Sequence, residues 1–410
     1  MKARLPNLSC RLFWMPISRR LESLGNGVFA RMDHAKQVYC DRVSSQGAPA
    51  LIDLSIGSSD LEPPLAVLEA MATGIMHPSS ASYCLQSGMR PFHQAAADWC
   101  QQRFGVTVDP DREVQLLIGS QEGTAHLPLA VLDPGDHALH LDPCYPSHSG
   151  GLNLAGAVIR TLPLTAEQGW RPDLSLIPSS QWDQLKLFVF GYPHNPTSTV
   201  GDQEDLNRIM AMGSRHELVI AHDNPYVDLS LGAEAPCLLR TAGWRTWGIE
   251  FFSLSKAWCL GGFRLGFAIG AEPLIRALRR TKALIDFNQS LALQQGAIRA
   301  LRDFADWPRQ LLPVFRNRRD RVVSALESRG WLVQTPDMAM YLWMPLPEQA
   351  LRRGWSDEQT AAELLMRSGV ALTPGSGFGP GGGQWLRMAM VRPLSDLEAA
   401  VERLVDALGS

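Results

Sequence analysis

Long hydrophobic runs are missing from this sequence. No apolar stretch reaches the roughly 18 residues of a membrane-spanning helix, and no membrane partner is expected. An excess of charge of one sign is missing too. The 38 Lys and Arg against 41 Asp and Glu leave a net charge of -3, with no basic footprint for nucleic acid or a membrane surface. The seven cysteines (Cys10, Cys40, Cys84, Cys100, Cys144, Cys237, Cys259) are scattered and odd in number. They form no CxxC pair and no His–Cys cluster at metal-ligand spacing. That pattern points to reduced, mostly buried thiols in a cytoplasmic protein, with no metal site expected. Neither a Walker loop nor a GxGxxG fingerprint is present, which counts against nucleotide phosphates. Internal repeats and low-complexity linkers are absent as well.

What remains is the balance of an ordinary globular chain, 45% hydrophobic and 19% charged over 410 residues, long enough for two domains. Residues 1–17 carry Arg4 and Arg11 around Leu12-Phe13-Trp14. Their apolar run is too short and too interrupted for a signal peptide, so a loose extension is expected. Leu21, Leu24, Phe29 and Met32 then follow helical spacing.

Further on, β-rich apolar runs alternate with longer helical segments. The runs are Val114–Ile118, His137–Leu141, Ala157–Leu162, Leu185–Phe190, Leu218–Ala221, Gly248–Phe252 and Arg264–Ile269. Unbroken apolar character suits strands covered on both faces, and the segments between them suit βαβ crossovers. The spacing predicts helices over Arg276–Asp303, Gln310–Ser328 and Asp357–Arg367, a strand pair at Trp331–Gln334 and Met340–Met344, and a strand at Leu386–Val391. The glycine-rich Gly375–Gly383 is a loop. The expected architecture is α/β. A large domain over residues 61–300 holds a mainly parallel seven-stranded sheet between helices. A smaller α+β domain uses both chain ends, an arm at 18–60 and the residues 301–410.

Four kinds of group at strand ends suggest a site for an anionic aldehyde cofactor. Lys256 follows the run Gly248–Phe252, and desolvation there would free its amine for an imine. A lone lysine after a strand is ordinarily a surface residue, but Ser253 and Arg264 stand where a phosphate beside the imine would lie. Gly119-Ser120-Gln121-Glu122-Gly123, between a strand and a helix, offers backbone N–H groups to an anion, though such a turn is often only a turn. Asp223 ends another strand and would keep a pyridine nitrogen protonated; capping the turn before Pro225 explains it equally well. Asn195, in an Asn-Pro turn, also has a structural explanation. Their common place at the C-terminal ends of buried strands, where open α/β sheets bind ligands, is the stronger signal.

These residues resemble the fold-type I pyridoxal-phosphate aminotransferases of classes I and II, across residues 18–405. The carrying motifs are Ser55-Ile56-Gly57, Tyr83 with Gly88, Gly119–Gly123, Asp142-Pro143-Cys144-Tyr145-Pro146, Asn195-Pro196-Thr197, Asp223-Asn224-Pro225-Tyr226, Ser253–Lys256 with Arg264, and Trp385-Leu386-Arg387. The stretches Gly119–Ala130 and Pro374–Gly379 look most like the LL-diaminopimelate aminotransferase subfamily. The resemblance implies that Lys256 carries pyridoxal 5'-phosphate as a Schiff base and moves the substrate proton. Asp223 would pair with the ring nitrogen, Asn195 and Tyr226 with the ring hydroxyl, and Tyr145 with the ring face. Ser120, Gln121, Ser253 and Arg264 would hold the phosphate, with Tyr83 from a neighbouring subunit of a homodimer. Arg387 would clamp the substrate carboxylate, and Gly57 would admit the substrate.

The implied reaction moves nitrogen from an α-amino acid, LL-diaminopimelate or a relative, to a 2-oxo acid such as 2-oxoglutarate. A β-lyase or synthase on the same scaffold is the alternative. A cofactor-binding regulatory module would need an appended DNA-reading domain, and residues 1–50 are too short and too weakly basic for one. Cys144, Gly191, His194, Ser198, Trp258 and Cys259 depart from the family pattern and are expected to crowd the substrate region. Tyr39, Trp258 and Phe378 are expected at its mouth.

Overall fold

The computed structural model describes residues 18, 20, 27–46, 49–85 and 89–409. The expectations for residues 1–17, for Leu21 and Leu24 and for Gly88 lie outside the described residues.

Seven apolar runs form one sheet: β2 (Val114–Leu117), β3 (His137–Asp142), β4 (Val158–Pro163), β5 (Leu185–Phe190), β6 (Val219–Asp223), β7 (Gly248–Ser253) and β8 (Gly266–Gly270), after a short β1 (Ile52–Asp53). The strand order is β2-β8-β7-β6-β5-β3-β4. Every pair is parallel except the two that β8 makes, with β2 and β7. β2, β7 and β8 are buried at every position, as a sheet covered on both faces requires. β8 starts at Gly266 rather than Arg264. Arg264 closes a 3-10 turn with φ 55, a left-handed backbone that cannot join a strand.

A second, three-stranded antiparallel sheet runs β11 (Thr373–Pro374), β12 (Trp385–Ala389), β9 (Tyr341–Pro345). β1 pairs in parallel with β10 (Val370–Ala371), which joins the front of the chain to the back. The helix Val28–Gln46 packs beside them, with Val28, Met32 and Tyr39 against Leu365 and Ala371. Ile52 and Leu54 share a core with Leu342, Met344, Leu386 and Leu404.

Two predicted elements differ. The stretch Arg276–Asp303 is two helices, Glu272–Ile285 and Leu291–Asp303. Phe287 between them has φ 64, and Asp286 turns back to accept from Lys282 Nζ at 3.0 Å. Trp331–Gln334 forms no strand. Its Trp331 indole N–H donates to Pro345 O instead, and the partner of β9 is β12. The glycine-rich loop holds two 3-10 turns, Gly375–Phe378 and Pro380–Gly382. No helix among the described residues is long and apolar enough to cross a membrane.

Candidate active site

The C-terminal ends of β2, β5, β6 and β7 open on a cavity of about 340 Å³, with the three-stranded sheet as its other wall. Its position follows from topology, because parallel strands end on one edge and their loops converge there. Every residue given a cofactor or substrate role from the sequence lines it except Tyr83: Gly57, Ser120, Gln121, Tyr145, Asn195, Asp223, Tyr226, Ser253, Lys256, Arg264 and Arg387.

Lys256 lies in the helical turn Leu254–Ala257 directly after β7. Its Nζ donates to Gly57 O at 2.7 Å, so the front segment crosses the cavity at the amine. That segment is held from behind. Arg318, on the helix Trp307–Glu327, grips both carboxylate oxygens of Asp60 at 2.7 Å.

An anion cradle faces the same space. Gly119 takes φ 81, and the helix Ser120–Val131 begins at once, aiming free N–H groups and the positive dipole end into the cavity. A side chain on Gly119 would meet the Arg264 guanidinium, so the glycine is needed on both counts. The Ser253 hydroxyl caps the next turn by accepting from Ser255 N at 3.1 Å. The Glu122 carboxylate turns away from the cradle. It pairs with buried Lys282 at 2.9 Å, and against the opposing effect of burial His126 and then Lys282 hold its pKa low.

At the far end, Asp223 is buried where β6 stops. His148 Nε2 donates to its Oδ2 at 3.2 Å, while Oδ1 has no partner among the described residues. Asn195 Nδ2 donates to the Tyr226 hydroxyl at 3.2 Å, and Arg387 Nη1 donates to Asn195 Oδ1 at 2.8 Å. Arg387 is fully buried, with its other arm on Ser55 O at 2.7 Å. Tyr145 donates to Gln121 Oε1 at 3.1 Å, and burial pushes its phenol up to about 12.

Among the further lining residues, to which sequence reasoning assigns no cofactor or substrate role, are His148, Ser255 and Tyr341. His148 lies three residues after Tyr145 in the helix Pro146–Ala155, a legible offset once Tyr145 is placed. Ser255 sits between two residues already chosen. Tyr341, on β9, carries no local signal. Some expectations fail. Tyr39 donates to Pro49 O within the core it shares with Leu365 and Ala371, and the Trp258 indole donates to Phe304 O, so neither stands at the mouth. Phe378 is buried behind Arg387. Of the residues expected to crowd the substrate region, only Gly191 and His194 line the cavity. Burial holds His194 neutral, at about 3.

The residues fit an anionic aromatic aldehyde. An amine, an anion cradle and a buried carboxylate oxygen lacking a partner lie around one space, and the fork of Arg387 stands at its edge. Fold and site together define a pyridoxal-phosphate-dependent transaminase.

Comparisons agree. The family described as "Aminotransferase class I and II" matches residues 49–404. The LL-diaminopimelate aminotransferase of Desulforudis audaxviator is 37% identical over 393 residues, covering 96% of this chain and 98% of the relative. A solved structure of a probable N-succinyldiaminopimelate aminotransferase from Thermus thermophilus superposes with TM-score 0.85 at 40% identity, covering 93% of this chain and 100% of that one. The substrate-bound BacF structure from Bacillus subtilis gives TM-score 0.90 at 27% identity, with 96% and 98% covered. The chain belongs to the class I and II aminotransferases, enzymes that use pyridoxal 5'-phosphate.

Proposed function

We propose that the amino donor is LL-diaminopimelate or a related amino acid, with 2-oxoglutarate as acceptor, and that the protein works as a cytoplasmic homodimer. The observation that carries the amino-acid reading is Arg387. Its buried planar fork stands beside Lys256 and suits two parallel bonds to a carboxylate. The names of the relatives support the diaminopimelate reading.

The bound cofactor supplies an electron sink for the charge left at the substrate α-carbon. The protein's groups do the rest. Lys256 would provide the amine that holds the cofactor's aldehyde, and its Nζ, once displaced by the substrate's amino group, would take the proton from the substrate Cα. Asp223 would hold a proton on the ring nitrogen, and His148 keeps that carboxylate aimed. Asn195 would donate to the ring hydroxyl, the Tyr226 oxygen would accept from it, and Tyr145 would cover a ring face. Ser120, Gln121, Ser253 and Arg264 would hold the phosphate. Arg387 orients the substrate by its carboxylate, and the Gly57 segment shuts water out behind it.

Exposure at the subunit surface supports the dimer. Tyr83 is 88% exposed, its ring edge-on to Phe287 at 6.0 Å, and Leu85, Leu284 and Ile285 are exposed as well. A second copy would cover these groups and bring its Tyr83 to the phosphate. The thiols Cys84, Cys100, Cys144 and Cys237 are free and buried, in keeping with a reducing compartment.

A second reading has its own observation. Phe29 and Ile56 line the cavity, which favours an amino acid with an apolar side chain. An amino-donor panel with 2-oxoglutarate decides between them. The first reading expects diaminopimelate to give the highest kcat/KM, and a preference for leucine or phenylalanine would overturn it.

A further inference from the structure

Tyr341 stands where the two walls of the cavity meet. It sits on β9, and Ala389 of β12 is its register partner, so Arg387 lies one pleat away on the same face. The guanidinium consequently rests on the Tyr341 ring, 4.3 Å from the centroid. The hydroxyl at the other end of the ring lies 3.1 Å from the Tyr226 hydroxyl. A methyl group on Gly57 would overlap that hydroxyl, so the glycine at this position makes room for Tyr341. Gly57 is also the residue whose carbonyl holds Lys256. The ring is 2% exposed, and Ser198 Oγ pins its backbone by donating to Tyr341 O at 2.8 Å.

We propose that the Tyr341 hydroxyl is a positioning residue of the active site, acting through Tyr226 and Lys256 to set how firmly a proton is held beside the reacting amine. The ring has a separate task, as the platform that keeps the Arg387 fork level. The proposal rests on the cofactor reading given above, in which Tyr226 bonds the ring hydroxyl and Lys256 holds the aldehyde.

The charges facing the hydroxyl give the reason. Lys256 and Arg387 are cations beside it, and the neutral phenols Tyr226 and Tyr145 are its other titratable neighbours. Burial resists ionisation of a phenol, yet the two cations and a bond donated by Tyr226 bring Tyr341 below its ordinary value. Burial and Tyr341 itself drive Tyr226 the opposite way, so it remains the donor of the pair. A readily ionised oxygen next to a cationic nitrogen stabilises the cation. A proton on the nitrogen side of the cavity is thereby retained to higher pH than the remaining groups would achieve.

Two substitutions separate the tasks. Tyr341→Phe removes the hydroxyl and keeps the platform, while Tyr341→Leu removes both. In the cofactor-loaded enzyme, Tyr341→Phe should move the pH titration of the visible absorption down by about half a unit or more. It should lower kcat by about tenfold and leave KM for the amino acid within about twofold. Tyr341→Leu should show the same titration shift and raise KM as well. A Tyr341→Phe enzyme with the wild-type titration curve overturns the proposal.

The cofactor-free protein gives an independent reading. Ultraviolet difference titration should show one of the six tyrosines ionising ahead of the others. That step should vanish in Tyr341→Phe and move to higher pH in Lys256→Ala, which keeps Tyr341 and decides the matter should the Phe variant not fold. No early step in the wild type also overturns the proposal. A wild type that shows the early step but never acquires visible absorption from pyridoxal phosphate would sink the cofactor reading instead.

Discussion

His148 Nε2 donates to one carboxylate oxygen of Asp223 at 3.2 Å, and the other oxygen, buried at the cavity wall, has no partner among the described residues. An acceptor in that state is costly unless a ligand fills it. In the proposed role the ligand is the protonated ring nitrogen. A unit charge about 4 Å away at an effective dielectric near 20 is worth about 4 kcal/mol.

Replacing Asp223 with Asn should therefore lower kcat/KM by about a thousandfold in steady-state assays. His148→Asn keeps the carboxylate and loosens its aim, for a loss of about tenfold. An Asp223→Asn enzyme as active as His148→Asn would show that the carboxylate charge is not what matters.

Arg387→Lys keeps the charge and loses the fork. Two parallel bonds become one point contact, and Asn195 Oδ1 and Ser55 O compete for the single ammonium. We expect kcat/KM for amino acids to fall about 10- to 100-fold, with KM rising. Cofactor absorption should be unchanged. A fall confined to kcat would place Arg387 outside carboxylate binding.

Tyr83→Phe tests the shared site. The side chain is exposed in a single chain, so the substitution should not alter monomer stability. If the hydroxyl reaches the phosphate of a neighbouring copy, pyridoxal phosphate should dissociate about tenfold more readily. Analytical ultracentrifugation should give twice the chain mass for both proteins. A monomeric wild type would refute the arrangement.

Acid stability follows from three buried imidazoles. Burial is the main cause that pushes His93, His140 and His194 down from 6.5 to about 3, about 4 and about 3. In the unfolded chain they bind protons near pH 6.5, while in the folded chain they do not. Stability is therefore full above pH 6.5 and falls as the pH drops towards the folded values. Each such proton contributes a slope of up to about 1.4 kcal/mol per pH unit. Denaturant midpoints should decline from neutral pH to about pH 4. His93→Gln retains an acceptor for Leu116 N and should flatten the decline.

Local sequence made most of the large sheet legible because its strands are apolar throughout and separated by turn residues. The start of β8 is two residues later than composition suggests, because Arg264 resembles a strand residue and its left-handed backbone has no local signal. The long helical stretch looked continuous because Leu284, Ile285, Leu291 and Leu293 keep an apolar rhythm across the break, while the ion pair that ends the first helix joins it to Glu122 far away. Trp331–Gln334 had strand composition, and the hydrogen bonds of β9 went to β12.

Among the candidate site residues, those at strand ends could be found because turn and strand place them without reference to the rest of the chain. Lys256, Asp223, Asn195 and the Gly119 turn are of this kind. Only the tertiary structure decided that Gly57, Lys256, Tyr226, Tyr341 and Arg387 would meet at one point. Their approach depends on the register of β9 against β12 and on the packing of the small sheet over the strand ends. No local spacing encodes that. Aromatic residues such as Tyr39 and Tyr341 look alike in sequence, and packing sent one into a core and the other into the cavity.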